Sequence, residues 1–179
     1  MVYDYIGTFT NKKFHFMNPS VDEICIEDIA QALSMNCRYS GHVKDFYSVA
    51  EHSVIIADLI YQQTESKSKA LAALLHDASE AYLTDIPRPI KPYLTNYVDM
   101  ESNIEKVIQQ KFNIPPMDEL TKYLDTHIVG AEAKILFNTV PDWANDYDDM
   151  TIDILNLKPN FARVSFLTAF KMYSREKTQ

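Results

Sequence analysis

The chain has 179 residues, 46% apolar and 23% charged, which suits one water-soluble domain with a full core of its own. Three glycines, with no GxGxxG and no GxxxxGK[ST] pattern, argue against a turn-rich β-sandwich, a Rossmann site and a P-loop. A net charge of -8 without any run of Lys or Arg disfavours duplex nucleic acid as a partner, yet it allows a small anion wherever an ion or a few local cations reverse the field.

Residues 3–16 set aromatic and β-branched side chains on either side of Thr10-Asn11-Lys12-Lys13, which predicts a short β-hairpin or extended arm. A first helix is expected over about 26–37. Glu27 and Asp28 suit its positive end, and Ile29, Leu33 and Asn36/Cys37 keep helical spacing. Residues 38–47 form a polar loop carrying Arg38, His42 and Lys44. Ser48 and Glu51 spell an S-x-x-E capping box that opens a second helix running to about Gln63. Val49, His52, Ile56, Leu59 and Ile60 share one face of it, so His52 is expected to point inward.

A third helix, over about 67–82, buries Leu71, Leu74, Leu75 and Ala78 and carries His76 and Asp77 beside that stripe. Pro87, Pro89 and Pro92 then impose an irregular loop. A fourth helix spans about 97–112, with Ile104, Val107, Ile108 and Phe112 inward, and Pro115-Pro116 ends it. A fifth spans about 118–138, with Leu120, Leu124, Ile128, Ala131 and Ile135 inward and Asp125 next to them. Residues 139–158 read as acidic and irregular, and a last helix covers about 160–175. No repeat, low-complexity tract or dividing linker interrupts the chain. The expected fold is therefore all-α, one helical domain over 1–179, with 1–17 as an N-terminal arm or hairpin.

No stretch approaches the roughly 18 apolar residues of a membrane span, and the start lacks the basic and apolar regions of a signal peptide. Cys25 and Cys37, without CxxC spacing, read as two free thiols in a reducing cytoplasm.

Three predicted helices thus place His52, the pair His76-Asp77, and Asp125 on or beside buried faces. A buried carboxylate without a partner is costly, so such groups are normally paired or metal-bound. Two imidazoles and two carboxylates suit Mn²⁺, Co²⁺, Fe²⁺, Ni²⁺ or Zn²⁺ better than a thiolate-seeking ion. Singly, each residue reads more readily as a satisfied core histidine or a helix-face acid; their joint placement points to a shared ion. His15 lies in the arm, and His127 points about 200° around the fifth helix from Asp125. Glu80, about one turn after His76, and Asp85, at the entry to the proline loop, could orient a water or protonate a leaving oxygen. Arg38, His42 and Lys91 are the cations expected to meet phosphate, Arg38 above all because its planar fork suits it. Lys44 and Arg88 read as solvated surface.

The stretches Tyr47-Ser48-Val49-Ala50-Glu51-His52-Ser53, Leu74-Leu75-His76-Asp77-Ala78-Ser79-Glu80-Ala81-Tyr82, Asp85-Ile86-Pro87 and Lys91 resemble the HD-domain phosphohydrolases, in particular their 5'-deoxynucleotidase-like branch. Asp125 with Glu132 in Gly130-Ala131-Glu132-Ala133, and Asp28-Ile29-Ala30, Leu33-Ser34, Cys37-Arg38 and Gly41-His42, extend the resemblance over about 18–172. It implies an all-helical fold and one divalent ion held by His52, His76, Asp77 and Asp125, with room for a second, substrate-associated divalent ion. It further implies Glu80 and Asp85 as auxiliary acids, Arg38 as a phosphate-binding arginine, and hydrolysis of a deoxynucleotide 5'-phosphate ester.

Some phage members resemble this chain in length and opening segment and act as dATP triphosphohydrolases. A purine dNTP such as dATP is therefore the favoured substrate, in the host cytoplasm if the protein is phage-encoded. A deoxynucleoside 5'-monophosphatase is the alternative, and a non-catalytic nucleotide or metal sensor the alternative of another class. The expected partner is a small deoxynucleotide, not nucleic acid or membrane. The aromatic arm either pairs with a second copy in a homo-oligomer or packs on its own domain.

Overall fold

The computed structural model describes residues 3–175. Its elements are a hairpin of β1 (Ile6–Gly7) and β2 (Lys13–Phe14), then α1 (Ile26–Met35), α2 (Val49–Thr64), α3 (Lys67–Leu74), α4 (Glu80–Leu83), α5 (Tyr97–Phe112), α6 (Glu119–Leu136) and α7 (Pro159–Ser174). Short 3-10 turns lie at Arg38–Gly41, Lys91–Tyr93 and Asp142–Asp146. The all-α expectation with an N-terminal hairpin is met. Among the described residues, no helix is long and apolar enough to cross a membrane.

The helix starts follow local chemistry. The Ser48 hydroxyl accepts from Glu51 N–H, capping α2. Ser66 caps α3 in the same way, and Asp118 caps α6 by accepting from Thr121 N–H at 2.9 Å. Pro159 opens α7, where its missing N–H costs nothing. The capping box is only half made. The Glu51 carboxylate, instead of reaching back to Ser48, accepts from the backbone N–H groups of Leu155 and Leu157 at 2.7 and 2.9 Å. It thereby pins the chain before α7 across the start of α2.

The centre of the bundle is α2, which packs against α1, α3, α6 and α7. Ile29, Leu33, Ile56, Ile60, Leu74, Ile104, Ile128 and Phe166 are fully or almost fully buried in one continuous core. In the arm, Phe14 is buried and stacks on Tyr82 with ring centroids 3.8 Å apart, while Thr10 donates to Asp28 through its N–H and its hydroxyl. The arm's apolar anchor therefore belongs to its own bundle.

Two helix boundaries depart from expectation. The first helix ends at Met35, and Cys37 instead forms an isolated antiparallel bridge with Ser48. The third helix is not continuous over 67–82. It stops at Leu74, a run of tight turns carries residues 75–79, and the single turn of α4 follows. His76 and Asp77 sit in that break.

Gly130 sits inside α6 where the 142–147 segment comes down upon it. A Cβ there would lie 2.8 Å from Tyr147 Cβ and 2.9 Å from the Ala144 carbonyl oxygen. Gly→Ala inside a helix ordinarily gains about 1 kcal/mol. Here Gly130→Ala is expected to lose about 1–3 kcal/mol by overpacking, read as a lower urea midpoint. Unchanged or raised stability would mean that the segment is not seated on α6.

Candidate metal centre

His52 enters from α2, His76 and Asp77 from the broken turn after α3, and Asp125 from α6. One ligand atom of each lies within 4.8 Å of all the others. His52 Nε2 is 3.7 Å from Asp77 Oδ2 and 3.4 Å from Asp125 Oδ1; His76 Nε2 is 3.1 and 3.7 Å from the same two atoms. Two ligands each about 2.1 Å from a common ion can stand up to about 4.2 Å apart, so these separations fit one cation.

The ring tautomers follow from the other nitrogens. His52 Nδ1 lies 2.7 Å from Glu132 Oε1, and His76 Nδ1 lies 2.7 Å from the Ala73 carbonyl oxygen. Both partners accept, so both Nδ1 atoms carry the proton and both Nε2 lone pairs turn to the cluster. Both Nε2 atoms are buried without a hydrogen-bond partner. Two lone pairs facing two carboxylate oxygens repel unless positive charge lies among them. Burial alone would lower His76, but Asp77 and Asp125 raise it well above the usual imidazole range, a pull toward positive charge at Nε2 that a cation there would answer. The donor set therefore fits a divalent ion, and His52, His76, Asp77 and Asp125 could hold it.

The cluster lies in a cavity of about 690 Å³. Its lining includes Arg38, Ser40 and His42, the 85–91 proline loop, and Phe137, Trp143 and Tyr147.

The family model described as 5'-deoxynucleotidase YfbR-like matches residues 23–136. The chain belongs to the YfbR-like family. It is 42% identical over 133 residues to protein YfdR of Escherichia coli K12, covering 74% of this chain and 72% of that one. It is 31% identical over 135 residues to a protein of Rhodobacter capsulatus, covering 70% and 69%. It is 30% identical over 104 residues to the 5'-deoxynucleotidase YfbR of Escherichia coli O1:K1, covering 50% and 52%. A YfbR-like protein is a hydrolase of the HD phosphohydrolase type, so this chain is an enzyme acting on a small nucleotide, and the sensor reading is set aside.

In this YfbR-like protein, the carboxylates around the cluster differ sharply. Burial would raise Asp77, but His76 outweighs it and holds the group down at about 2. Burial would also raise Asp125, but its contacts with His52 and His76 bring it well below the usual range. Glu80 is pushed well above it, by burial and then by Asp77 and Asp85, and its Oε2 is buried without a partner. Asp85 is also raised, chiefly by burial. Both Glu80 and Asp85 line the cavity, as expected.

Arg38 is buried, with Nη1 3.6 Å from Asp77 Oδ2 and Nη2 donating to Glu132 Oε2 at 3.3 Å; its Nε has no partner. His42 is exposed at the cavity edge. Lys91 lines the cavity while donating to Glu101 at 2.9 Å. His15 pairs with Glu23, and His127 stacks on Tyr123, both apart from the cluster.

Arg88 is exposed, as a surface residue should be, but it is paired with a residue of the cluster. Its Nη2 donates to Asp125 Oδ2 at 2.6 Å and to the Asp125 carbonyl at 3.2 Å. Glu132 is fully buried and accepts from Arg38, Tyr39, Tyr47 and His52. Burial would raise this carboxyl, but Arg38 and His52 bring it to about 2. The partners Tyr39 and Tyr47 carried no local signal in the sequence. Neither did the aromatic wall at Phe137, Trp143 and Tyr147, which stands in a stretch that reads only as acidic and irregular.

Glu132→Gln keeps the shape but turns an amide NH₂ toward donors. Divalent-ion affinity is expected to fall about 10- to 100-fold as the His52 ring loses its anchor, measured by chelator competition. Unchanged affinity would show that Glu132 does not orient His52.

Proposed function

We propose that the protein hydrolyses the 5'-phosphate ester of a deoxynucleoside monophosphate in the cytoplasm, acting as one domain, with a divalent transition ion held by His52, His76, Asp77 and Asp125. The observation that carries this reading is the pair of inward, unpartnered Nε2 lone pairs facing two ionised carboxylates on the floor of a substrate-sized cavity. When bound, the ion would supply positive charge for a phosphoryl oxygen and acidity for an attacking water.

The remaining steps belong to the chain. Arg38, with an unsatisfied Nε, offers donors to the non-bridging oxygens, helped by Lys91 and His42 at the edge. Asp85 accepts the proton of the attacking water. Glu80, kept protonated, gives its proton to the departing 5'-oxygen as the P–O bond breaks. The products are a deoxynucleoside and inorganic phosphate.

The monophosphate is favoured over dATP or another dNTP on two grounds. The relatives that carry an activity in their names are 5'-deoxynucleotidases. Arg88 is also engaged with Asp125, which leaves little charge beyond Arg38 and Lys91 to receive a triphosphate.

The test is a screen of the protein against all dNMPs and dNTPs with Mn²⁺, Co²⁺ and Zn²⁺, products resolved by chromatography. Inorganic phosphate from dNMPs is expected; inorganic triphosphate from a dNTP would reverse the assignment. Asp77→Ala is expected to lose both bound ion and turnover.

Glu80→Gln is expected to lower kcat on a dNMP about 10²- to 10⁴-fold. The loss should shrink strongly on p-nitrophenyl phosphate, whose leaving group needs no proton. Equal losses on both substrates would remove Glu80 as the acid.

A further inference from the structure

The cavity is lined by two unlike groups of side chains. One comprises Asp77, Glu80, Asp85, Asp125 and Arg38; the other is an apolar wall of Phe137, Trp143 and Tyr147 with Val129. A chain of ring contacts joins them. The Arg38 guanidinium lies 5.6 Å from the Tyr39 ring, Tyr39 meets Phe137 edge-on at 5.3 Å, Phe137 meets Trp143 edge-on at 6.1 Å, and Trp143 meets Tyr147 edge-on at 6.3 Å.

The wall is held from both ends. The Tyr39 hydroxyl is fixed on buried Glu132 at 2.6 Å. Tyr147 and Ala144 rest on α6 at Gly130, where the close approach leaves no room for a Cβ. These neighbours do not cover the indole, and Trp143 stays 39% exposed. A partly open aromatic surface that shares a cavity with an arginine and an acid cluster suits a ligand with an anionic end and a flat ring end.

We propose that Trp143, backed by Phe137, is the surface on which the base of the deoxynucleotide stacks. This rests on the deoxynucleotidase reading of the same cavity. Stacking on Trp143 positions the sugar and its 5'-phosphate over the acid cluster, and it selects for a base-bearing ester over a bare sugar phosphate.

Trp143 is the chain's one tryptophan, so its fluorescence reports on this wall alone. The metal-loaded protein would be titrated with a 5'-phosphonate analogue of deoxyadenosine and, separately, with deoxyribose 5-phosphate. Saturable quenching by the first and none by the second is expected.

In parallel, kcat/KM for dAMP relative to deoxyribose 5-phosphate would be measured for the wild type, Trp143→Phe and Trp143→Leu. The ratio should fall about tenfold in Trp143→Leu, mainly through KM for dAMP, and be largely kept in Trp143→Phe. Hydrolysis of dAMP without quenching, or a ratio unchanged in Trp143→Leu, would overturn the stacking wall and leave the deoxynucleotidase reading standing. Quenching by the analogue in a protein that hydrolyses no deoxynucleotide would do the reverse.

Discussion

A carboxylate with no exposure to water organises this molecule. Glu132 lies on α6, and its two oxygens take four donors, three from the stretch between α1 and α2 and one from α2 itself: Tyr47 and His52 on Oε1, Arg38 and Tyr39 on Oε2. An ionised group in such a place is tolerable only if nearly every lone pair is satisfied, and removing one partner of a buried pair typically costs about 3–5 kcal/mol. Burial and the charge of Glu132 also push the Tyr39 and Tyr47 hydroxyls up, so both remain donors. The result is a single permitted arrangement of α2 against α6. Because His52 must give its Nδ1 proton to Glu132, its other nitrogen arrives at the cluster as a bare lone pair. The proposed ion site is thus a consequence of how two helices are joined.

The same constraint is met on the other side by a backbone that gives up regularity. The turn at 75–79 lets His76 donate to the Ala73 carbonyl of its own helix end while Asp77 faces Asp125. Around it the chain accepts conformations that side chains disfavour. Tyr39 and Ser40 are left-handed, at φ 56° and 51°, and Thr84, just before Asp85, has φ 67° and ψ 158°. For a β-branched residue that geometry costs about 1–3 kcal/mol. Tyr97 holds it by donating to the Thr84 carbonyl. These outliers cluster where Arg38, Tyr39 and Asp85 must be aimed into the cavity, so the strain sits beside the candidate chemistry.

How far the sequence could be read follows from the range of each cause. Ser48 before Glu51, and the apolar stripes of α2, α5 and α6, are local signals, and the helices stand close to where those signals put them. The inward turn of His52 was legible for the same reason. The break after Leu74 was not, because Leu-Leu-His-Asp-Ala-Ser-Glu contains no glycine or proline and reads as good helix. It coincides with the His76 ring turning back on the Ala73 carbonyl and with the contacts of Asp77 to His52, His76 and Arg38, not with a local propensity signal. Arg88 and Trp143 were hidden for a related reason: one proline-loop arginine or one tryptophan in an acidic stretch gains its meaning only when α6 is brought beside it. Glu51 shows the intermediate case, its position in the capping box plain but its carboxylate taken by Leu155 and Leu157 from the far end of the chain.

An acidic protein that handles an anion needs its charges separated by environment, and Asp77 and Glu80 show how closely that can be done. They are three residues apart in one turn, joined by the Glu80 N–H donating to the Asp77 carbonyl. Asp77 faces two imidazoles and an arginine, and His76 holds it ionised. Glu80 is buried without a cation in hydrogen-bond contact, and the negative charge of Asp77 and Asp85 pushes it further up. Ionising the first is part of what keeps the second protonated. An ion among the imidazoles would neutralise the first carboxylate's field at the phosphate, while burial would still hold the proton on the second. One short turn of chain thereby presents both the proposed cation ligand and the proposed acid, the pair that metal-assisted ester hydrolysis requires.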